Sequence, residues 1–200
     1  QTKAWETQIE ILQEILKPYD GSIFFEYVIP RMGKRIDVLL IIQNAIIILE
    51  FKAGEKEYQP AAIDQVWDYA LDLKNFHESS HRAFIAPILV ATEAKHAYIS
   101  IQTTPHNDNL LYPIKSNAKQ LAEVIKQVLA FADGDIINID RWNESRYAPT
   151  PTIIEAAMTL YRGHSVKEIT KNEAENLGTT SHAISDIILD SKQSNKKSIC

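Results

Sequence analysis

Two hydrophobic rhythms follow one another along this chain. Apolar residues at Trp5, Ile9, Leu12 and Leu16 recur at helical spacing, and Pro18 with Gly21 stops the run, which predicts a first helix over 5–16. From Phe24 the pattern turns to short, β-branched apolar runs. Phe24–Ile29 predicts a first strand, Lys34–Ile42 a second and Ala45–Lys52 a third, with Gln43-Asn44 closing the last two into a hairpin. The polar stretch 54–59 and Pro60 then open a helix on which Ile63, Val66, Ala70 and Leu73 form a buried stripe. Ala86–Thr92 reads as a buried returning strand, Ile114 marks another short one, and 117–131 is an amphipathic helix. The predicted order is helix, three antiparallel strands, helix, strand: an α/β core.

Beyond Gly134 the character changes. Residues 141–151 form a turn-rich stretch with Trp142, Tyr147 and Pro149, read as a linker, and helical signals follow. Thr150 is an N-cap with Pro151 in the first turn, Gly163 suits the far end, Ser165 and Glu168 have capping-box spacing, and Ile184, Ile187 and Ile188 mark a further helix. The expected division is a domain over 1–134 and a linker with a helical appendage over 135–200.

Composition narrows the class. Two hundred residues with 45% hydrophobic content support one sizeable core. The net charge of −5 does not advertise nucleic-acid binding, but Arg31, Lys34 and Arg35 cluster at the start of the second strand and Lys56 follows the third, a local basic surface for phosphates or, equally, a solvated hairpin edge. Cys200 is the only cysteine, which excludes an internal disulfide and a Cys-rich zinc site and fits a reducing cytoplasm. No apolar run is long enough to span a bilayer, so no membrane partner is expected.

Against that apolar background five polar residues stand out: Asp37, Glu50, Lys52, Gln65 and Tyr69. Strand alternation puts Glu50 and Lys52 on one face and Phe51 on the other. Helical spacing puts Gln65 and Tyr69 one above the other, at the edge of the buried stripe. Ionised carboxylates in apolar surroundings are costly unless paired or bound to metal, so Asp37 and Glu50 mark a candidate site. The plain alternative is a salt bridge at a strand end, Glu50 with Lys52 or Arg35.

This arrangement resembles the PD-(D/E)xK nuclease superfamily. Asp37 matches the first acid, Glu50-Phe51-Lys52 the E-x-K element, and Gln65 to Tyr69 the Q-x-x-x-Y element of the RecB-like branch; Ile36 stands where the naming proline would be. The runs 25–37 and 62–77 are further similar to the N-terminal region of bacterial proteins that join such a nuclease to a Schlafen-like P-loop ATPase or helicase. The resemblance implies a restriction-endonuclease-like core with a C-terminal helical appendage. It also implies a chain that stops, at Lys196 to Cys200, short of its motor. No G-x-x-x-x-G-K-[ST] occurs here, so ATP binding by that route is not expected of these residues.

What the resemblance implies for chemistry is metal-assisted phosphodiester hydrolysis, with DNA as the favoured substrate. Asp37, Glu50 and the Phe51 carbonyl would bind Mg2+ or Mn2+, Lys52 would orient the attacking water or neutralise charge, and Gln65 and Tyr69 would position substrate or the acids. A further acid from the first helix is common in the superfamily, and Glu6 or Glu10 would supply it here, although a solvated helix face is the simpler reading of both. Arg31, Lys34 and Arg35 would touch phosphates. The implied partners are nucleic acid and the ATPase/helicase half of the same protein, with a role in antiphage defence. A homo-oligomer is left open, because relatives dimerise to cut two strands. The alternative from another class is a catalytically silent nucleic-acid-binding or scaffold module.

Two other motifs compete. His77-Glu78-Ser79-Ser80-His81 is literally H-E-x-x-H, the zinc peptidase signature, with Glu93 or His96 as speculative third ligands. Ser79 and Ser80 fit a helix end better than a buried helix. Ser165–Ile188 has a faint helix-turn-helix character, but its turn is too long and its second segment carries only His182, so packing helices are expected.

Overall fold

The structure, a computed structural model, describes residues 2–29, 33–106 and 108–148, with side chains from residue 5. Arg31 and the helices expected after 150 lie outside the described residues. The compact unit described here is Gln1–Pro149.

Helix α1 (Thr2–Leu16) leads into β1 (Gly21–Ile29), β2 (Lys34–Ile42) and β3 (Ala45–Lys52), an antiparallel meander. Gly21 is required where β1 begins, because a Cβ there would collide with the Ile41 carbonyl oxygen. Gln43 takes a left-handed φ of 54°, the backbone twist that a two-residue hairpin turn needs. Helix α2 (Pro60–Phe76), with proline in its first turn, then carries the chain back over the sheet to β4 (Phe84–Ala91), which is parallel to β3. A crossover is needed there because parallel neighbours cannot be joined by a tight turn. β5 (Ile114–Ser116), α3 (Leu121–Phe131) and the short α4 (Ile139–Asn143) complete the unit.

The five strands lie in the order β1-β2-β3-β4-β5. Pro87, which has no N–H to donate, falls between the Ile85–Leu110 bridge and the point where β5 begins to pair at Ile88. Both faces of the sheet are covered, so β3 and β4 read as nearly unbroken apolar runs. On one face Val38, Leu40, Ile47 and Leu49 pack with Leu12 of α1 and Val124, Ile125 and Val128 of α3. On the other, Leu39, Ile41, Ile46 and Ile48 pack with Val66, Ala70 and Leu73 of α2. The chain therefore has the mixed α/β fold with the element order expected of a restriction-endonuclease-like core.

Two expected boundaries moved. The helix expected from 117 starts at Leu121, because the Asn117 carboxamide oxygen accepts from the Lys119 and Gln120 amides and spends those residues on a turn. The stretch from Arg141, read as a linker, is instead packed into the core at its start. Trp142 is 1% exposed, its ring lies against Phe24, Tyr27 and His77, and its Nε1 donates to Ser80 Oγ at 2.8 Å. Among the described residues no helix is long and apolar enough to cross a membrane.

Candidate active site

Strand geometry brings the first acids together. The β2–β3 register runs from Ile42↔Ala45 to Val38↔Leu49, so Asp37 and Glu50 are the next residues on adjacent strands, on the face that α2 covers. There the ladder ends, and the Asp37 carboxylate takes over one of its bonds: Oδ2 accepts from the Phe51 amide at 2.9 Å.

Glu50 is buried, 2% exposed. Its Oε1 accepts from Lys52 Nζ at 2.7 Å, two residues along the same face, and its Oε2 is buried with no hydrogen-bond partner. Lys52 Nζ also donates to Gln65 Oε1 at 3.2 Å, and Gln65 Nε2 donates to the Tyr69 hydroxyl oxygen at 2.6 Å. Four side chains from β3 and α2 thus form one chain, Glu50–Lys52–Gln65–Tyr69, with Asp37 alongside. Tyr69 departs from expectation in one respect: it does not line an open edge, since it is buried in the apolar cluster between α2 and the sheet and its hydroxyl meets the polar row at Gln65.

The electrostatics follow from burial. Desolvation, reinforced by the neighbouring Asp37 charge, pushes Glu50 up to about 7 against the opposing pull of Lys52. Desolvation also raises Asp37, although the Phe51 amide and Lys52 work the other way. Burial alone would lower Lys52, but its bond to Glu50 and the charges of Glu50 and Asp37 outweigh that and raise it, so it stays an ammonium. The cluster is two strained carboxylates and one firm cation.

Two of the basic residues, Lys34 and Arg35, are paired with acids. Lys34 donates to Asp72 at 3.0 Å and lies 3.7 Å from Asp68, which ties β2 to α2. Arg35 is ion-paired with Glu26 of β1, though its side chain remains 64% exposed. Lys56 is exposed. Glu6 and Glu10 are exposed on α1. The residue that sequence reasoning missed is Glu26, whose charge is felt at both Asp37 and Glu50. It is the only charged residue in β1, a signal that was available.

The H-E-x-x-H pattern does not form a helical zinc motif. Helix α2 stops at Phe76, His77 is its cap, and Glu78–Ser80 is a single 3-10 turn. His77 is buried with its Nδ1 2.7 Å from Ser80 Oγ, whereas His81 is exposed. The turn instead docks the last described segment: the Glu78 amide donates to the Arg146 carbonyl and the Ser79 amide to Ser145 Oγ. Among the described residues no three His, Cys, Asp or Glu side chains gather as a metal cluster, so a cation at Asp37 and Glu50 would rest on two carboxylates.

No protein-family model and no curated protein matches the chain. Among solved structures it is similar to a repair endonuclease from Pyrococcus abyssi, with 21% identity over 48% of this chain and a TM-score of 0.35. This chain spans 39% of the length of that protein. It is also similar to the small subunit of the heterodimeric restriction endonuclease R.BspD6I, with 14% identity over 70% of this chain and 74% of that one, and a TM-score of 0.32.

Proposed function

We propose that the chain is a divalent-metal-dependent nuclease domain that hydrolyses phosphodiester bonds of nucleic acid, DNA in the first place. The observation that carries this reading is the Glu50 carboxylate: buried beside Asp37, with one oxygen on Lys52 and the other without a partner. A buried carboxylate oxygen left orphaned is costly in a purely structural ion pair.

The donor set fits a hard cation. Asp37, Glu50 and the Phe51 carbonyl would hold magnesium or manganese, which prefer oxygen and are often bound by one or two carboxylates. Such an ion would supply Lewis acidity to a phosphoryl oxygen and acidify a water. The rest falls to the chain's own side chains. Lys52 has three N–H donors, two of which go to Glu50 and Gln65, and the third would hold the attacking water or a phosphate oxygen. Tyr69 fixes Gln65, and Gln65 fixes the Lys52 head group. The Asp37–Phe51 bond holds the first acid against the end of β3. Arg35, with Arg31 and Lys56, would contact the phosphate backbone, since Glu26 engages its Nε while the guanidinium has further donors and the side chain stays largely exposed. Lys34 is committed to Asp72 and contributes less.

From the sequence resemblance we assign the domain to a cytoplasmic nuclease-helicase protein whose P-loop ATPase drives it in antiphage defence. Cleavage of linear and circular, single- and double-stranded DNA and of RNA, with magnesium or manganese, tests the activity. Metal-dependent cutting lost in Asp37→Ala and Lys52→Ala is the expected result. A non-catalytic nucleic-acid-binding or scaffold module would cut nothing under any divalent metal. Loss of phage protection in a challenged host carrying Lys52→Ala tests the defence role.

A further inference from the structure

β1 and β2 pair residue by residue from Gly21↔Ile42 to Ile29↔Lys34 with one omission, at Glu26, which stands opposite Asp37. At Glu26 the strand takes a left-handed φ of 53°, a conformation that a residue with a side chain keeps only where its surroundings impose it. What the surroundings hold is the carboxylate. One oxygen is ion-paired with Arg35 Nε, and the other accepts from Trp5 Nε1 of α1 at 3.4 Å.

The position matters for the site. Arg35 lies two residues before Asp37, and its charge acts on that carboxylate. Glu26 acts on Asp37 and Glu50 with the opposite sign. A second observation points to a ligand between these acids: Glu50 is nine-tenths buried or more, and its Oε2 has no partner. A guanidinium left unpaired next to Asp37 would compete with a cation for the same negative potential.

We propose that Glu26 is a positioning residue for divalent-cation binding at Asp37 and Glu50, acting through Arg35: it neutralises the guanidinium and holds it off the carboxylates. The inference rests on the metal-dependent reading above and adds a residue from β1, where that reading looked to the first helix. Glu26 need not touch the ion. Its backbone distortion is the cost of turning the carboxylate toward Arg35 and Trp5 instead of completing the ladder.

Calorimetric titration of the whole chain with Mn2+ tests this without any cleavage assay. Glu26→Gln keeps the side-chain shape and removes the charge, and its affinity should fall on the order of tenfold, the scale of one unpaired charge near a partly exposed site. Adding Arg35→Gln to it should restore most of the loss, and by more than Arg35→Gln alone raises the affinity of the parent, a non-additivity that independent charges or a merely structural role would not give. Glu26→Gly removes the same charge while relieving the left-handed backbone, so it should bind weakly yet melt no lower than the parent. Parent-like affinity in Glu26→Gln while Asp37→Ala abolishes binding overturns the role of Glu26 and leaves the metal centre standing. Weak binding that Arg35→Gln does not recover overturns the route through Arg35. A parent that binds no Mn2+ overturns both readings together.

Discussion

The Asp37 carboxylate accepts a hydrogen bond from the Phe51 amide at 2.9 Å, so the first acid of the site caps the strand that carries the second. Asp37 sits where pairing lapses on both sides of β2: the register omits Glu26 on one side and stops at Val38↔Leu49 on the other. A side chain replaces a ladder bond, and the released strand ends leave room for Glu50 and Lys52 to face Gln65 of α2.

Removing the cation of the site should separate chemistry from folding. Lys52→Ala deletes the donor to Glu50 and Gln65 and should lower cleavage by about 10²- to 10³-fold, the usual scale for one charge-stabilising donor. In metal-free protein Glu50→Gln should raise stability by about 1 kcal/mol at pH 8, because it removes a desolvated carboxylate with an unpartnered oxygen. Parallel cleavage assays and urea melts of the two variants check this. An active Lys52→Ala would remove Lys52 from the mechanism.

Two buried groups act on stability with opposite sign over nearly the same pH range. Glu50 is raised from 4.5 to about 7, so the native state binds the extra proton and the stability this gives is lost as pH rises through that range. His77 is lowered by burial from 6.5 to about 4, so the unfolded state binds the extra proton and stability is lost as pH falls through that range. Each contributes about 1.4 kcal/mol per pH unit where it acts, so the metal-free parent should show little net slope from these two between pH 4.5 and 6.5. In Glu50→Gln the His77 slope is unmasked, and stability should rise by on the order of 2–3 kcal/mol across that range. Urea midpoints at three pH values decide it; a flat profile in Glu50→Gln would contradict the burial of His77 as neutral imidazole.

Trp142 fastens the last described segment to the sheet. Trp142→Ala should cost about 3–5 kcal/mol, the range for a large aromatic removed from a core. Trp142→Phe, which keeps most of the packing but deletes the bond to Ser80 Oγ, should cost about 1–2 kcal/mol. Equal melting temperatures for parent and Trp142→Ala would mean that the segment is not part of the folding unit.

Lys34 is placed to stabilise rather than to bind phosphate. Its removal leaves the Asp72 carboxylate buried without its partner, so Lys34→Ala should destabilise by about 1–3 kcal/mol. The salt dependence of nucleic-acid binding should stay as in the parent, whereas Arg35→Ala should reduce its slope by about one ion. Affinity titrations at several salt concentrations distinguish the roles of Lys34 and Arg35.

Much of this was written in the sequence, and for a local reason. Helix and strand periods, the Gln43-Asn44 hairpin and Pro60 depend on near neighbours, so α1, the meander, α2 and β4 were legible, as were the face shared by Glu50 and Lys52 and the row of Gln65 and Tyr69. The burial of Trp142 was not legible, because a tryptophan among turn residues carries no period and its pocket is assembled from β1 and the turn after α2, far away in sequence. The same holds for the capture of Arg35 by Glu26 and of Lys34 by Asp72. Sequence spacing decides which side chains share a face; only the packing of one element on another decides which charges meet across it, which carboxylate oxygen is left without a partner, and which basic residue remains free for a ligand.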